Sequence, residues 1–202
     1  GNMGGPMAAN LVKAGHKVIA FDLVEASKNQ AKADGAVIAD SAAAAVKGAE
    51  VVITMLPAGK HVIAVWTDVV PSMTKGALII DCSTIDVESA KQAHALASKH
   101  GLASVDAPVS GGTGGARGAT LTFMCGGEDR AFNAARPVLE NMGKKLVHCG
   151  GAGAGQAAKI CNNMILAISM IGVGEAFALA EKLGLSHQAL FDVASTSSGQ
   201  CW

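Results

Sequence analysis

The sequence predicts an α/β fold: a doubly wound parallel sheet followed by the start of an all-helical domain. Three observations predict it. Short apolar runs alternate with amphipathic segments through residues 1–152, the rhythm of βαβ units. Two of those runs, Val51-Val-Ile-Thr-Met55 and Ala77-Leu-Ile-Ile-Asp81, are nearly continuous, as strands covered on both faces are. Beyond Gly150–Gly155 the pattern changes to one long apolar stretch, Gln156–Leu183, with the length of a helix.

Composition supports a packed α/β domain and excludes several classes. Half of the 202 residues are apolar, enough for a sizeable core in one large domain or two small ones. Charged residues make up 16%, with the two signs in balance, whereas a nucleic-acid binder carries a basic excess. Tyrosine is absent and aromatics are 3%, which leaves little surface for stacking bases. The five cysteines form no C-x-x-C pair and the six histidines no H-E-x-x-H, so neither a disulfide framework nor a metal is expected. An odd cysteine number fits a reducing compartment. The alanine-rich composition favours a bacterial cytoplasm. Residues 160–180 are long and apolar enough to cross a bilayer. Asn162, Asn163 and Glu175 interrupt them, so the expectation is a helix buried in a soluble core, with no membrane partner. Its all-round apolar surface needs cover on several sides, from more chain or from a second subunit in a homo-oligomer.

In chain order, Gly1-Asn2-Met3-Gly4 precedes a helix over Met7–Ala14 and a strand over Lys17–Asp22. Gly1 and Gly4 have the spacing of the last two glycines of G-x-G-x-x-G; the first glycine and the strand before it stand outside this chain. Asp22 ends the following strand about twenty residues on, where a ribose 2′-hydroxyl partner belongs in a Rossmann-type fold. The competing role for Asp22 is a turn residue capping the next helix. In the ribose role it would repel a 2′-phosphate and favour NAD over NADP. Helices are then expected over Lys28–Asp34, Ser41–Lys47, Lys60–Val70 and Asp86–His100, and strands over Ala36–Ile38, Glu50–Met55, Ala77–Asp81 and Ala103–Asp106. The strand exits at Asp22, Pro57, Ser83-Thr84 and Ser110 should line one crevice beyond the carboxyl ends of the sheet.

After Asp106 the run Ala-Pro-Val-Ser110-Gly-Gly-Thr-Gly-Gly-Ala-Arg117-Gly reads as a glycine-rich loop. Its backbone N–H groups could form an anion nest, with Ser110 and Arg117 beside it; the alternative is a flexible hairpin with nothing bound. Ala119–Cys125 and Lys145–Cys149 read as strands, Ala131–Met142 as a helix bent at Pro137, and Ser186–Val193 as a final short helix. The glycines of Gly153-Ala-Gly-Ala-Gly-Gln permit close approach of backbone or ligand. On the helix after them Lys159 and Asn163 lie one turn apart on one face. Most helical lysines are merely solvated, but a desolvated one has a lowered pKa and can exchange a proton near neutrality.

Together, Gly1-Asn-Met-Gly-x-Pro-Met, Asp106-Ala-Pro-Val-Ser-Gly-Gly and Gly153-x-Gly-x-x-x-Lys-x-x-Asn-Asn163 resemble the β-hydroxyacid dehydrogenases. The resemblance spans the whole chain. Thr122-Phe-Met, Lys159-Ile-Cys-Asn-Asn-Met and Ser197–Trp202 point to the branch of that family acting on 3-hydroxyisobutyrate in valine catabolism. The resemblance implies a dinucleotide-binding domain over 1–152, lacking its first strand, and over 153–202 an interdomain helix that begins a helical domain. It implies Lys159 as catalytic residue, Asn163 as an amide holding a small hydroxy-acid substrate, and Ser110, Gly111 and Gly112 as the substrate carboxylate loop. Gly1, Asn2 and Met3 match the cofactor phosphate loop, Leu56 and Pro57 a loop near the adenosine half, and Thr84 a contact near the nicotinamide of NAD. A related reductase, for instance of tartronate semialdehyde, and a non-catalytic NAD-binding homologue are the rival expectations. For such a family a mitochondrial matrix is the alternative compartment.

Overall fold

A computed structural model describes residues 1–201; Trp202, the end of the closing motif, lies outside the described residues. The chain divides into two compact units, Gly1–Lys159 and the residues from Ile160 onward.

The first unit is layered α/β. Helix α1 (Gly4–Lys13) leads to β1 (Ile19–Ala20), α2 (Glu25–Ala33), β2 (Val37–Ile38), α3 (Ala42–Ala45), β3 (Val51–Thr54) and α4 (Gly59–Val69). Then come β4 (Leu78–Asp81), α5 (Val87–Lys99), β5 (Ala103–Asp106), β6 (Val109–Ser110) and α6 (Gly112–Arg117). The unit continues with β7 (Leu121–Gly126), α7 (Asp129–Leu139) and β8 (Gly143–Gly150). Strands β1 and β2 pair in parallel as a small sheet of their own. The main sheet runs β3-β4-β5-β7-β6, with β8 beside β7.

Alternation on β4 explains the layers. Leu78 and Ile80 join a core with Met7 and Leu11 of α1 and Phe132 and Leu139 of α7. Ile79, between them, joins a second core with Val62 and Trp66 of α4 and Ala90, Ala93 and Ala97 of α5. Successive strand side chains point to opposite faces, so one apolar strand serves both. The loops after β3, β4 and β5 then emerge together, because these three strands are parallel and in register from Thr54 to Asp81 to Asp106.

Several expectations are corrected. The sheet is not wholly parallel: β7 runs antiparallel to β5 and β6. Apolar runs reveal burial, not strand direction. The glycine-rich segment is no open loop, since Gly112–Arg117 forms α6. Its buried side carries Gly115 and Ala116 against the main core, and Asn10 of α1 donates to the Ala116 carbonyl at 2.7 Å. Tertiary packing thus overrides the poor helix propensity of glycine. The strand over Lys17–Asp22 shrinks to two residues, and β3 is fully buried on one face only. Helix α7 starts and ends earlier than expected and carries Pro137 inside it.

The second unit continues helix α8 (Ala154–Lys182), which begins in the first, and adds α9 (His187–Ala194) capped by the Ser186 hydroxyl. By length and composition α8 could cross a membrane, with mean hydropathy 1.7 over its most apolar stretch, of which 6% is buried. The described residues leave this helix largely uncovered, with Ile165, Ile168 and Ile171 all more than 60% exposed, so the expected cover must come from further chain or a second subunit.

Candidate active site

The carboxyl ends of β3, β4 and β5 gather buried polar side chains. Asp81 ends β4 with 2% exposure; its Oδ1 accepts from the hydroxyls of Thr54 at 2.8 Å and Ser83 at 2.6 Å. Trp66 Nε1 donates to Thr54 Oγ1 at 3.1 Å. Ser83 Oγ in turn accepts from the Leu56 amide at 2.7 Å, so the loops holding Leu56-Pro57 and Thr84 are tied together. Asp81 Oδ2 is buried without a partner, and burial raises the pKa of this carboxyl.

Asp106, at the end of β5, is the second buried carboxylate. Its Oδ1 accepts from the Gly153 amide at 2.9 Å and its Oδ2 from the Gln156 amide at 2.9 Å. A carboxylate here satisfies first-turn amides of α8 that no helical carbonyl can reach. His94 Nε2 lies 2.9 Å from Asp106 Oδ1, and the Ser104 hydroxyl 2.7 Å from His94 Nδ1. A side chain at Gly155 would collide with the Asp106 and Met124 carbonyls, so glycine is what lets the helix start so close to the sheet.

Three residues beyond Gln156, Lys159 reaches back to the β6 strand. Its Nζ donates to Ser110 Oγ at 3.0 Å. Pairing of Ser110 with Thr122 of β7 fixes the serine, and Gly111 and Gly112 follow with φ of 130° and 59°, which side chains rarely adopt. Lys159 is half-buried, and burial lowers its pKa. Asn163 stands on α8 one turn further along, exposed.

The residues expected at the phosphate loop sit near the exit of β3. The Gly1 nitrogen donates to Asp22 Oδ2 at 2.9 Å, which brings together the two pieces of the split dinucleotide motif. Asp22 also makes the turn, its Oδ1 accepting from the Val24 amide. Gly4 faces Met55 of the β3 exit closely enough that a Cβ would touch it at 3.4 Å. Gly1 and Asn2 are exposed and Met3 is half-buried. Helix α1 starts with no side-chain cap, so those first-turn amides that no carbonyl takes can face an anion, while the Gly5 amide donates to the Gly1 carbonyl. Pro57 and Thr84 are exposed and Leu56 half-buried. These features fit a nicotinamide dinucleotide: uncapped helix amides for the pyrophosphate, a carboxylate for a ribose, and tied loops alongside. Arg117, by contrast, lies exposed in the last turn of α6 without a partner role in the cluster.

The sequence assigned no role to Asp106 or Gln156, and to Ser83 only a place among the strand exits lining the crevice. Each stood within or beside a quoted motif, and each is a polar residue flanked by apolar or small ones. That pattern is the signal for a buried, fully bonded side chain.

Comparisons with known proteins identify the family. A family profile described as the NAD binding domain of 6-phosphogluconate dehydrogenase matches residues 1–151. One described as NAD-binding of NADP-dependent 3-hydroxyisobutyrate dehydrogenase matches residues 153–202. The chain is 52% identical over 205 aligned positions to 3-hydroxyisobutyrate dehydrogenase of Pseudomonas aeruginosa, covering all of this chain and 69% of that protein. It is 49% identical, with the same coverage, to an NAD-dependent L-serine dehydrogenase of the same organism. Among solved structures, the Mycobacterium tuberculosis 3-hydroxyisobutyrate dehydrogenase with L-serine matches with a TM-score of 0.97 and 55% identity, over 100% of this chain and 69% of that one. The chain belongs to the β-hydroxyacid dehydrogenase family.

Proposed function

We propose that the protein oxidises 3-hydroxyisobutyrate to methylmalonate semialdehyde, with NAD as hydride acceptor and Lys159 as general base. The observation that carries the base is the half-buried Lys159 amine held 3.0 Å from the Ser110 hydroxyl, beside the glycines of the substrate loop. When bound, NAD supplies the acceptor for the hydride that leaves the carbinol carbon. The neutral amine of Lys159 takes the hydroxyl proton as the carbonyl forms; in reverse, the ammonium donates it back. Burial favours the neutral form, so the amine can act nearer neutral pH than a solvated lysine. Ser110 and the backbone of Gly111 and Gly112 hold the substrate carboxylate, and the Asn163 amide holds its polar end. Gly1, Asn2 and Met3 bind the pyrophosphate, Leu56 and Pro57 the adenosine side, and Thr84 the nicotinamide side. Functionally the chain divides into a cofactor domain, 1–152, and a helical segment, 153–202. The exposed apolar face of α8 supports assembly as a homo-oligomer, and the composition supports a bacterial cytoplasm.

Initial rates on the full-length enzyme test this reading. Turnover of 3-hydroxyisobutyrate with NAD should exceed that of L-serine and glycerate. Turnover mainly of L-serine would keep the mechanism and move the substrate, a reading the 49% identical L-serine dehydrogenase specifically supports. Asp22 sets cofactor choice, because a carboxylate repels a 2′-phosphate. Asp22→Ala should raise KM for NAD by roughly tenfold, the worth of one charged hydrogen bond, and relax discrimination against NADP. An unchanged preference would leave Asp22 only its turn with Val24.

A further inference from the structure

One side chain ties the first turn of the lysine-bearing helix to the loop after β4. Gln156 is fully buried in the first turn of α8. Its Nε2 donates to the Ser83 carbonyl at 2.7 Å, and its Oε1 accepts from the Ile85 amide at 3.0 Å. Ser83 and Ile85 flank Thr84, and Ser83 Oγ also holds the Leu56 amide. Its own backbone amide is fixed on Asp106 Oδ2. Three residues on, nearly one helical turn, stands Lys159. The amide of Gln156 uses one donor and one acceptor at once. Neither an apolar residue nor a carboxylate can do that, while a protonated carboxyl can.

We propose that Gln156 is a positioning residue: it clamps the Ser83–Ile85 loop to the first turn of α8 and so sets the distance between the cofactor side of the site and Lys159. This rests on the role assigned above to Lys159. Hydride and proton leave adjacent atoms of one substrate, so their two acceptors must keep a fixed separation. A misplacement of about 1 Å costs up to roughly 10²-fold in rate. Binding of the cofactor, which other residues govern, should change little.

The test uses Gln156→Met, Gln156→Glu and Lys159→Ala in the full-length enzyme. Gln156→Met should lose roughly 10–100-fold in kcat, with KM for NAD nearly unchanged and a larger primary deuterium isotope effect from substrate labelled at the carbinol carbon. Gln156→Glu should be similarly slow near neutrality. In the direction of aldehyde reduction it should regain activity relative to wild type as pH falls, because its protonated carboxyl restores both bonds. A purely structural glutamine would lower the melting temperature and leave isotope effect and pH profile as in wild type; that result overturns the proposal. So does wild-type kcat in both Gln156 variants while Lys159→Ala is inactive. Undiminished kcat in Lys159→Ala overturns the underlying reading, and this inference with it. If Gln156→Met does not fold, the pH profile of Gln156→Glu decides alone: recovery at low pH supports the clamp, and a wild-type profile overturns it.

Discussion

The two units treat apolar residues in opposite ways. Up to Lys159, Trp66, Ile80, Leu121 and Phe123 are shut away inside two cores on either side of one sheet. From Ile160 onward, Met164, Ile165, Ile168 and Ile171 stand exposed along one helix. The polar residues invert as well: the first unit buries Asp81, Ser83, Asp106 and Gln156 at the strand exits, each hydrogen-bonded. The first unit spends its apolar surface on its own stability. The described residues of the second unit leave its apolar surface uncovered, and such a surface needs cover from further chain or a second subunit.

Substitutions can break that contrast. Phe123→Ala should cost about 3–5 kcal/mol, since it removes a wholly buried ring from the main core; a loss near zero in chemical denaturation would mean that the core is not continuous there. Asp106→Ala should come next. It strands the Gly153 and Gln156 amides, at about 1–3 kcal/mol for each buried donor left unpaired. Asp106→Asn, which keeps one acceptor oxygen, should fall between it and wild type, and an alanine variant as stable as wild type would show that water replaces the carboxylate. Ile168→Ser, on the face that assembly would cover, should weaken self-association of the full-length protein while changing the stability of the chain itself by no more than about 0.5 kcal/mol. Unchanged self-association would show that another surface carries the assembly.

The sequence was informative where one element supplies its own pattern. β5 matches its expected span because a short strand is bounded by Gly101 on one side and Pro108 on the other. Helix α5 follows from Asp86, which caps it through the Ser89 amide at 2.7 Å. The Lys159 motif was legible as spacing on a helix, but its hydrogen bond was not: Ser110 lies 49 positions away, on a strand held by antiparallel pairing with β7. The helix α6 was hidden for a related reason. Glycines say that a chain can approach closely, while the packing of Ala116 in the core, which the local sequence does not encode, says that it coils. What covers α8 was not legible, because apolarity all round a helix signals a need for cover without saying what provides it.

The most direct measurement is kcat for NAD-dependent oxidation against pH, for wild type and Lys159→Ala, with NAD affinity determined on the same preparations. The amine must be neutral to accept the proton, so wild-type kcat should rise with pH through the lowered pKa of Lys159 and then level. Lys159→Ala should bind NAD normally, turn over about 10²–10⁴-fold more slowly and lack that rise. A variant within a few-fold of wild type, with the same pH profile, would contradict the account.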